Sequence, residues 1–150
     1  MHEIAALVVS ERDAEKVMVV WTGLRPGLQA HGVCVLPLRP FLLGGGAVAA
    51  AVPDLEAPNI ASALREFLAP LLGALRSAGL LDPFCVIFTQ YWGGVGTQAA
   101  VSVTHRGMIS SLTIGEDAIN GALGQLGVDS QLAEDAFQRL GLHMWRQESV

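Results

Sequence analysis

The stretch whose residue types and spacing most suggest a functional site is Y-W-G-G-V-G-T-Q, residues 91 to 98. Glycine-rich loops bind phosphate when they join a strand to the start of a helix, because backbone N–H groups then point at the anion. Here strand-like residues stand on both sides of the glycines, and no lysine follows at the spacing of a nucleotide-binding loop. The stretch therefore predicts a glycine hairpin in which at least one glycine has a positive φ.

Two aromatic residues precede these glycines. In a strand that continues from Phe84, Tyr91 and Trp92 point to opposite faces of the sheet, so one ring is buried and the other at least partly exposed. An exposed aromatic beside a glycine loop has the character of an anchor in a protein interface. The alternative interpretation is structural, with both rings filling the end of the sheet.

The groups that carry most enzyme chemistry are scattered along the chain. The four histidines include no pair at i,i+3 or i,i+4, the cysteines form no C-x-x-C motif, and no G-x-S-x-G marks a nucleophilic serine. Cys34 and Cys85 both lie in apolar runs, which predicts buried free thiols. We therefore expect no catalytic residues, no metal site and no cofactor, in a protein that is not an enzyme.

Acidic residues are concentrated towards the C-terminus of a chain whose net charge is -5. Those after residue 115 are Glu116, Asp117, Asp129, Glu134, Asp135 and Glu148. This distribution disfavours nucleic acid, which is bound by lysine and arginine, and favours a partner with a basic surface. The alternative is a solvated helix surface, and the adjacent Glu116 and Asp117 also suit a helix start better than acid-base catalysis.

His105 and Arg106 fall in the short T-H-R-G segment between two strand patterns. Both side chains are expected to be exposed in a tight turn, where they are ordinary polar residues. Because arginine is favoured in protein interfaces, Arg106 is also a candidate for a binding surface.

Composition and length indicate one globular domain over residues 1–150. The chain is 51% hydrophobic and 15% charged, which predicts an extensive core or a buried oligomeric face. The N-terminus lacks the basic start of a secretory signal, and the most apolar later stretch, Pro40 to Pro53, is too short to span a bilayer. We therefore expect a cytoplasmic protein with no membrane association.

The N-terminal half combines strand and helix signals. Ile4–Val9 predicts a strand, and S-E-R-D from Ser10 matches a capping box at the start of a helix. Apolar residues at helical spacing over 12–24 favour that helix, while β-branched valines leave a strand over 16–22 as the alternative. Gly32–Leu36 predicts a second strand, parallel to the first or a near neighbour of it.

A leucine-rich helix is predicted after residue 58. Asn59 is expected to be its N-cap and Gly79 its C-terminal stop. Pro70 lies inside this pattern, which predicts a kink or break near Ala69 because proline lacks the backbone donor and clashes with the preceding turn.

Three strand patterns follow, at Phe84–Tyr91, Gln98–Thr104 and Met108–Ile114, and their short connections predict an antiparallel meander. The first is apolar almost throughout, as in a central strand covered on both faces. Helices are then predicted over Glu116–Leu126 and from residue 129 or 130 to Leu140. The expected fold class is α+β, with a mixed sheet of about five strands and helices packed on it.

From the hairpin onward, the sequence resembles a group of small bacterial proteins. These carry a Y-F-G-G-x-G-x-Q hairpin, an I-N-x-A-L-x-x-L-G-V helix, an acidic segment and a D-A-L-G-L-like ending. The matching residues here are Tyr91 to Gly94, Gly96, Gln98, Ile119 to Leu123, Leu126 to Val128 and Phe137 to Leu142. Trp92 and Thr97 depart from the phenylalanine and the acidic residue that the group more often shows.

Proteins that look like this are often immunity-type proteins, which bind and neutralise a cognate toxin. The resemblance therefore implies a non-enzymatic inhibitor that covers a toxin with its hairpin and an acidic helical surface. The candidate partner-binding residues are Tyr91, Trp92, Gly93, Gly94, Gly96, Gln98, Arg106, Glu116, Asp117, Glu134 and Asp135. One alternative is a small-molecule-binding domain or small enzyme that uses the glycine loop. Another is a subunit of a homo-oligomeric structural or regulatory assembly.

Overall fold

A computed structural model describes residues 2–20, 28–30, 32–38, 53–76, 78–92, 95–115 and 118–126. The strands are β1 (His2–Ser10), β2 (Leu28–Ala30), β3 (Val33–Pro37), β4 (Phe84–Trp92), β5 (Val95–Val103) and β6 (Ile109–Ile114). The helices are α1 (Glu11–Val20), α2 (Ile60–Leu75) and α3 (Ala118–Gln125). This arrangement confirms the α+β class.

The described strands form one six-stranded sheet in the order β2-β3-β1-β4-β5-β6. Each pairing in it is antiparallel, so the expected mixed sheet is wrong, whereas the meander of β4, β5 and β6 is confirmed. β3 is a neighbour of β1, as expected, but is not parallel to it. The reason is β2, which the sequence patterns missed: it runs in the same direction as β1, and the turn at Gly32, with φ 79°, then reverses the chain into β3.

Helices cover both faces of this sheet. α1 and α2 pack on one face, where Phe67 and Phe88 meet edge to face with ring centroids 6.0 Å apart. α3 packs on the other face through Ile119 and Leu123. Alternate residues of β4 enter the two cores, which confirms a central strand buried on both sides and explains its nearly continuous apolar sequence.

The helix predicted after Ser10 is confirmed as α1, and the strand alternative is wrong for residues 16–20. Residues 21–27, where the predicted helix ended, lie outside the described part. In α2, the helix runs unbroken through Pro70, so the expected break is wrong. Pro70 is exposed, and so is Glu66, whose carbonyl lacks the usual helical donor; water can replace that bond.

Both ends of α2 differ in detail from the prediction. Asn59 precedes the helix as expected, but its side chain makes no capping hydrogen bond, and the helix ends at Leu75 rather than continuing towards Gly79. The predicted last helix lies outside the described residues. No helix in the described ranges is long and apolar enough to cross a bilayer.

Candidate functional site

The backbone of the predicted glycine hairpin is formed by the paired ends of β4 and β5. Tyr91 pairs with Gly96 and Trp92 with Val95, which confirms the hairpin. Gly96 is therefore a strand residue and not part of the loop, because β5 begins three residues earlier than predicted. Gly93 and Gly94 lie outside the described residues, as do the side chains of Tyr91 and Trp92, so their predicted orientations stay predictions.

On the sheet face that carries α2, two side chains tie the base of this hairpin to the segment before the helix. The Gln90 amide donates to the Pro53 carbonyl at 3.0 Å and accepts from the Leu55 N–H at 2.9 Å. The Thr97 hydroxyl donates to the Glu56 carboxylate at 3.5 Å. Leu55 is itself buried in the core, so these bonds connect the hairpin to a fixed part of the molecule.

On the opposite face, Gln98 connects the hairpin to α3. Its side-chain oxygen accepts the Ile119 N–H at 3.4 Å, in the first turn of the helix, and its carbonyl accepts the Gly115 N–H at 3.0 Å. The first turn of a helix has N–H groups without helical partners, and Gln98 satisfies one of them. Gln98 thus has an internal role, and its contact with a partner stays a prediction.

The other candidate residues do not form one site with the hairpin. Arg106 is exposed, as predicted, in a turn closed by a 2.9 Å bond from the Gly107 N–H to the Thr104 carbonyl. This turn follows the far end of β5, about 27 Å along the strand from Val95 at roughly 3.4 Å per residue. The remaining four candidates, Glu116, Asp117, Glu134 and Asp135, lie outside the described residues.

Asp13 is a buried charged residue that no functional motif identified. It is 1% exposed and its carboxylate accepts N–H bonds from Leu81, at 2.9 and 3.1 Å, and from Asp82, at 2.8 Å. The Lys16 ammonium lies 3.9 Å from the same carboxylate. The capping box is therefore wrong as a mechanism, although it located the helix start, because tertiary contacts occupy the acidic side chain. The Ser10 hydroxyl, the other half of the capping box, has no hydrogen-bond partner among the described residues, and the N–H of Glu11, the first helical residue, bonds to the Gly32 carbonyl at 3.0 Å.

Arg12 forms a bidentate ion pair with Asp82. Its Nε and Nη2 atoms each donate to a carboxylate oxygen at 2.6 Å, and this bond is the main reason why the pKa of Asp82 falls to about 2. The Ser10 hydroxyl also lies near the carboxylate and lowers this pKa further. Its geometry falls short of a hydrogen bond, so this buried hydroxyl has no such partner among the described residues.

Two clefts border described residues away from the hairpin. One, of 270 Å³, lies beside Ser10 and Asp82, and is smaller than the roughly 300 to 1,000 Å³ usual for small-molecule sites. The other is an open groove of 440 Å³ between α2 and the start of β6, lined by Arg65, Ala69, Leu72, Arg76, Gly107, Met108 and Ile109. This groove was not predicted from the sequence. The pattern that could have indicated a basic surface here is the spacing of Arg65 and Arg76, which places them on the same side of a helix.

The two thiols are free and buried, as predicted. Burial raises the pKa of Cys34 and raises that of Cys85 to about 12, so Cys85 is a protonated thiol at neutral pH and a poor nucleophile. Across the described ranges, no group of three histidine, cysteine or acidic residues is arranged to hold a metal ion.

The fold thus defines an antiparallel α+β protein with helices on both sheet faces. Comparisons of the chain with protein-family models, with curated proteins and with solved structures found no match.

Proposed function

We propose that this chain is a non-enzymatic binding protein of the immunity type, which neutralises a cognate protein toxin by contact through the β4–β5 hairpin. The observation that carries the proposal is the attachment of the hairpin base on both sheet faces, by Gln90 on one and Gln98 on the other. A binding element held in this way loses little conformational entropy when it docks, which favours its use as an interface.

The state of the reactive groups also favours binding over catalysis. The Cys85 thiol is buried and protonated, the Asp13 carboxylate accepts backbone N–H bonds, and Asp82 is paired with Arg12. Groups that are buried or hydrogen-bonded within the protein in this way stabilise the fold. The resemblance of the hairpin region to immunity-type proteins supplies the class of partner, and the acidic C-terminal residues favour a toxin with a basic surface.

The direct test is coexpression with the products of the genes that adjoin the gene for this protein, each assayed as a candidate toxin. The wild-type chain is expected to copurify with the toxin and to restore growth. The Tyr91→Ala, Trp92→Ala double variant is expected to bind about 30-fold more weakly or worse, because an aromatic anchor contributes about 2 kcal/mol or more. Val19→Ala is the control, since Val19 is 79% exposed on α1.

A second variant tests the attachment of the hairpin. Gln90→Ala removes both bonds to the segment before α2 without changing the hairpin sequence, and should weaken toxin binding while hydrogen exchange at Leu55 accelerates. Failure of the wild-type chain to bind or protect would contradict the proposed function. Full activity of the double variant would instead move the interface away from the hairpin.

A further inference from the structure

The groove between α2 and the turn before β6 has charged ends and an apolar centre. Arg65 and Arg76 line it from the helix, about 16 Å apart at roughly 1.5 Å of rise per residue. Eleven residues are close to three full turns, so the two arginines lie on nearly the same side of the helix. Arg76 follows the last helical residue and keeps helical dihedral angles, with φ -56° and ψ -33°.

Within the described part of the chain, no acidic side chain pairs with either arginine. Both side chains are exposed, and neither takes part in the ion pairs formed among the described residues. Arg106 is also exposed and outside those pairs, in the turn that borders the groove. The acidic residues nearest in sequence are Glu66 for Arg65 and Asp82 for Arg76. Neither lines the groove, and Asp82 is paired with Arg12.

The turn positions one of the two cations. A Cβ added to Gly107 would lie 2.7 Å from Cγ of Arg76, so the stem of this arginine rests directly against the glycine backbone. Gly107 has φ 82°, a conformation that favours glycine. The same residue thus shapes the turn and leaves room for Arg76, which limits the conformations of its side chain.

The centre of the groove is apolar. Leu72 is buried at its floor, and Met108 stands at its rim with 64% of its surface exposed. Methionine is adaptable and is favoured at surfaces that bind other proteins. A ligand with an apolar side chain between two negative charges would match a groove that has an apolar centre between two arginines.

We propose that the groove binds an extended acidic segment of a partner protein, with carboxylates on Arg65 and Arg76 and an apolar side chain between them on Met108. An extended chain advances about 3.3 Å per residue and its side chains alternate between two faces, so two carboxylates that both face the groove would be about four or six residues apart. Arginine binds carboxylates through two parallel N–H bonds, which gives such a site directional specificity. A nucleic acid fits less well, because the chain has net charge -5 and the groove is short.

This surface is distinct from the hairpin, since the turn before β6 and the hairpin lie at opposite ends of β5. The inference does not rest on the proposed inhibitor function. Groove variants can therefore lose peptide binding without losing toxin binding, and hairpin variants can do the reverse.

The test uses labelled synthetic peptides that contain two glutamates, a leucine between them and a separation that varies from two to nine positions. Fluorescence anisotropy is expected to show tightest binding at a separation of about four or six and weaker binding at five, with affinity falling as salt rises. The Arg65→Ala, Arg76→Ala variant should bind about tenfold more weakly or worse. Met108→Ser should lose about threefold, the smaller effect of an exposed apolar contact.

The matched control is Val19→Glu with Asn59→Asp, which lowers the net charge by the same amount. Both positions are exposed, lie outside the groove and are more than four residues from Arg65 and Arg76, so no helical i,i+3 or i,i+4 ion pair with either arginine is created. An equal loss of affinity in this control, no dependence on glutamate separation, or no peptide binding overturns the proposal. Tighter binding of a short single-stranded oligonucleotide than of the best peptide overturns it as well.

Discussion

The carboxylate of Asp13 lies where α1 meets the segment that leads into β4. A charged group this deeply buried is tolerated only when hydrogen bonds and a counter-charge replace its hydration. The N–H groups of Leu81 and Asp82 and the ammonium of Lys16 provide them, and Lys16 also donates to the Gly79 carbonyl at 3.1 Å. A short run of α1 residues thus attaches the helix to the loop that follows α2.

Asp13→Asn is expected to destabilise the protein by about 2–3 kcal/mol. An amide oxygen in the Oδ2 position still accepts from both N–H groups, but the NH₂ group then replaces Oδ1, where it faces the Leu81 N–H and the Lys16 ammonium, and the negative charge that strengthens these bonds is lost. Urea unfolding measures the change. Glu15→Gln, an exposed position on the same helix, is the control and should lie within about 0.5 kcal/mol of the wild type.

The ion pair of Arg12 and Asp82 makes the free energy of unfolding depend on pH in the acidic range. The folded pKa of Asp82, about 2, lies below its ordinary value of 3.8, so this contribution is complete above about pH 4 and is lost as pH falls towards 2. Arg12→Gln should return the pKa towards 3.8 and remove that part of the acid dependence. Carbon NMR of the carboxyl group measures the pKa directly, and an unchanged value in the variant would contradict the assigned cause.

Among the secondary-structure elements, the turn between β5 and β6 depends most clearly on a single residue. Its i to i+3 bond runs from the Gly107 N–H to the Thr104 carbonyl, and Gly107 then adopts a left-handed conformation. Beside this turn, the pairing register of β5 and β6 shifts between Ser102 and Val103. At this irregularity the Ser110 hydroxyl donates to the Ser102 carbonyl at 3.1 Å. The turn and this irregularity together set the direction in which β6 leaves the meander.

Two glycine substitutions are therefore expected to have opposite effects. Gly107→Ala should destabilise the protein by about 1–2 kcal/mol, because its φ is left-handed and the new methyl group would displace Arg76. Gly73→Ala should stabilise it by about 0.5–1 kcal/mol, because Gly73 is exposed inside α2 and, apart from the backbone of its own helix, no atom of the described residues lies within 4 Å of the added Cβ. Thermal unfolding compares both, and effects of the same sign would contradict the expectation.

Across the molecule, stability is expected to follow the layers of the sheet. β1 and β4 pair on both edges and are covered on both faces, whereas β6 is the last strand in the described order and has exposed residues such as Thr113 and Ile114. Regions with few buried contacts open locally at lower free energy. The arrangement thus separates a rigid centre from a more accessible edge.

Native-state hydrogen exchange should reveal this gradient. Amides of β4 that bond to β1 are expected to exchange only through global unfolding, while those linking β6 to β5 exchange through smaller openings. Urea dependence of the exchange rates separates the two classes. Equal protection in β4 and β6 would show that the edge strand unfolds together with the centre.

Local patterns in the chain were sufficient to predict the parts of the structure that depend on neighbouring residues. The apolar run at Phe84 identified a strand covered on both faces, the short connections identified the meander, and Ser10 marked the start of α1. Periodicity and turn chemistry act within a few residues, so they can be read without knowledge of the fold.

Contacts between distant residues were decided by the tertiary structure alone. The bond from Leu81 to Asp13 joins residues 68 positions apart, and the bond from Leu55 to Gln90 joins residues 35 apart. The direction of β3 depended on an inserted three-residue strand. Arg76 became part of a groove only because the turn at Gly107 packs against α2. Local propensity cannot determine such partners, because each depends on how the whole sheet is ordered.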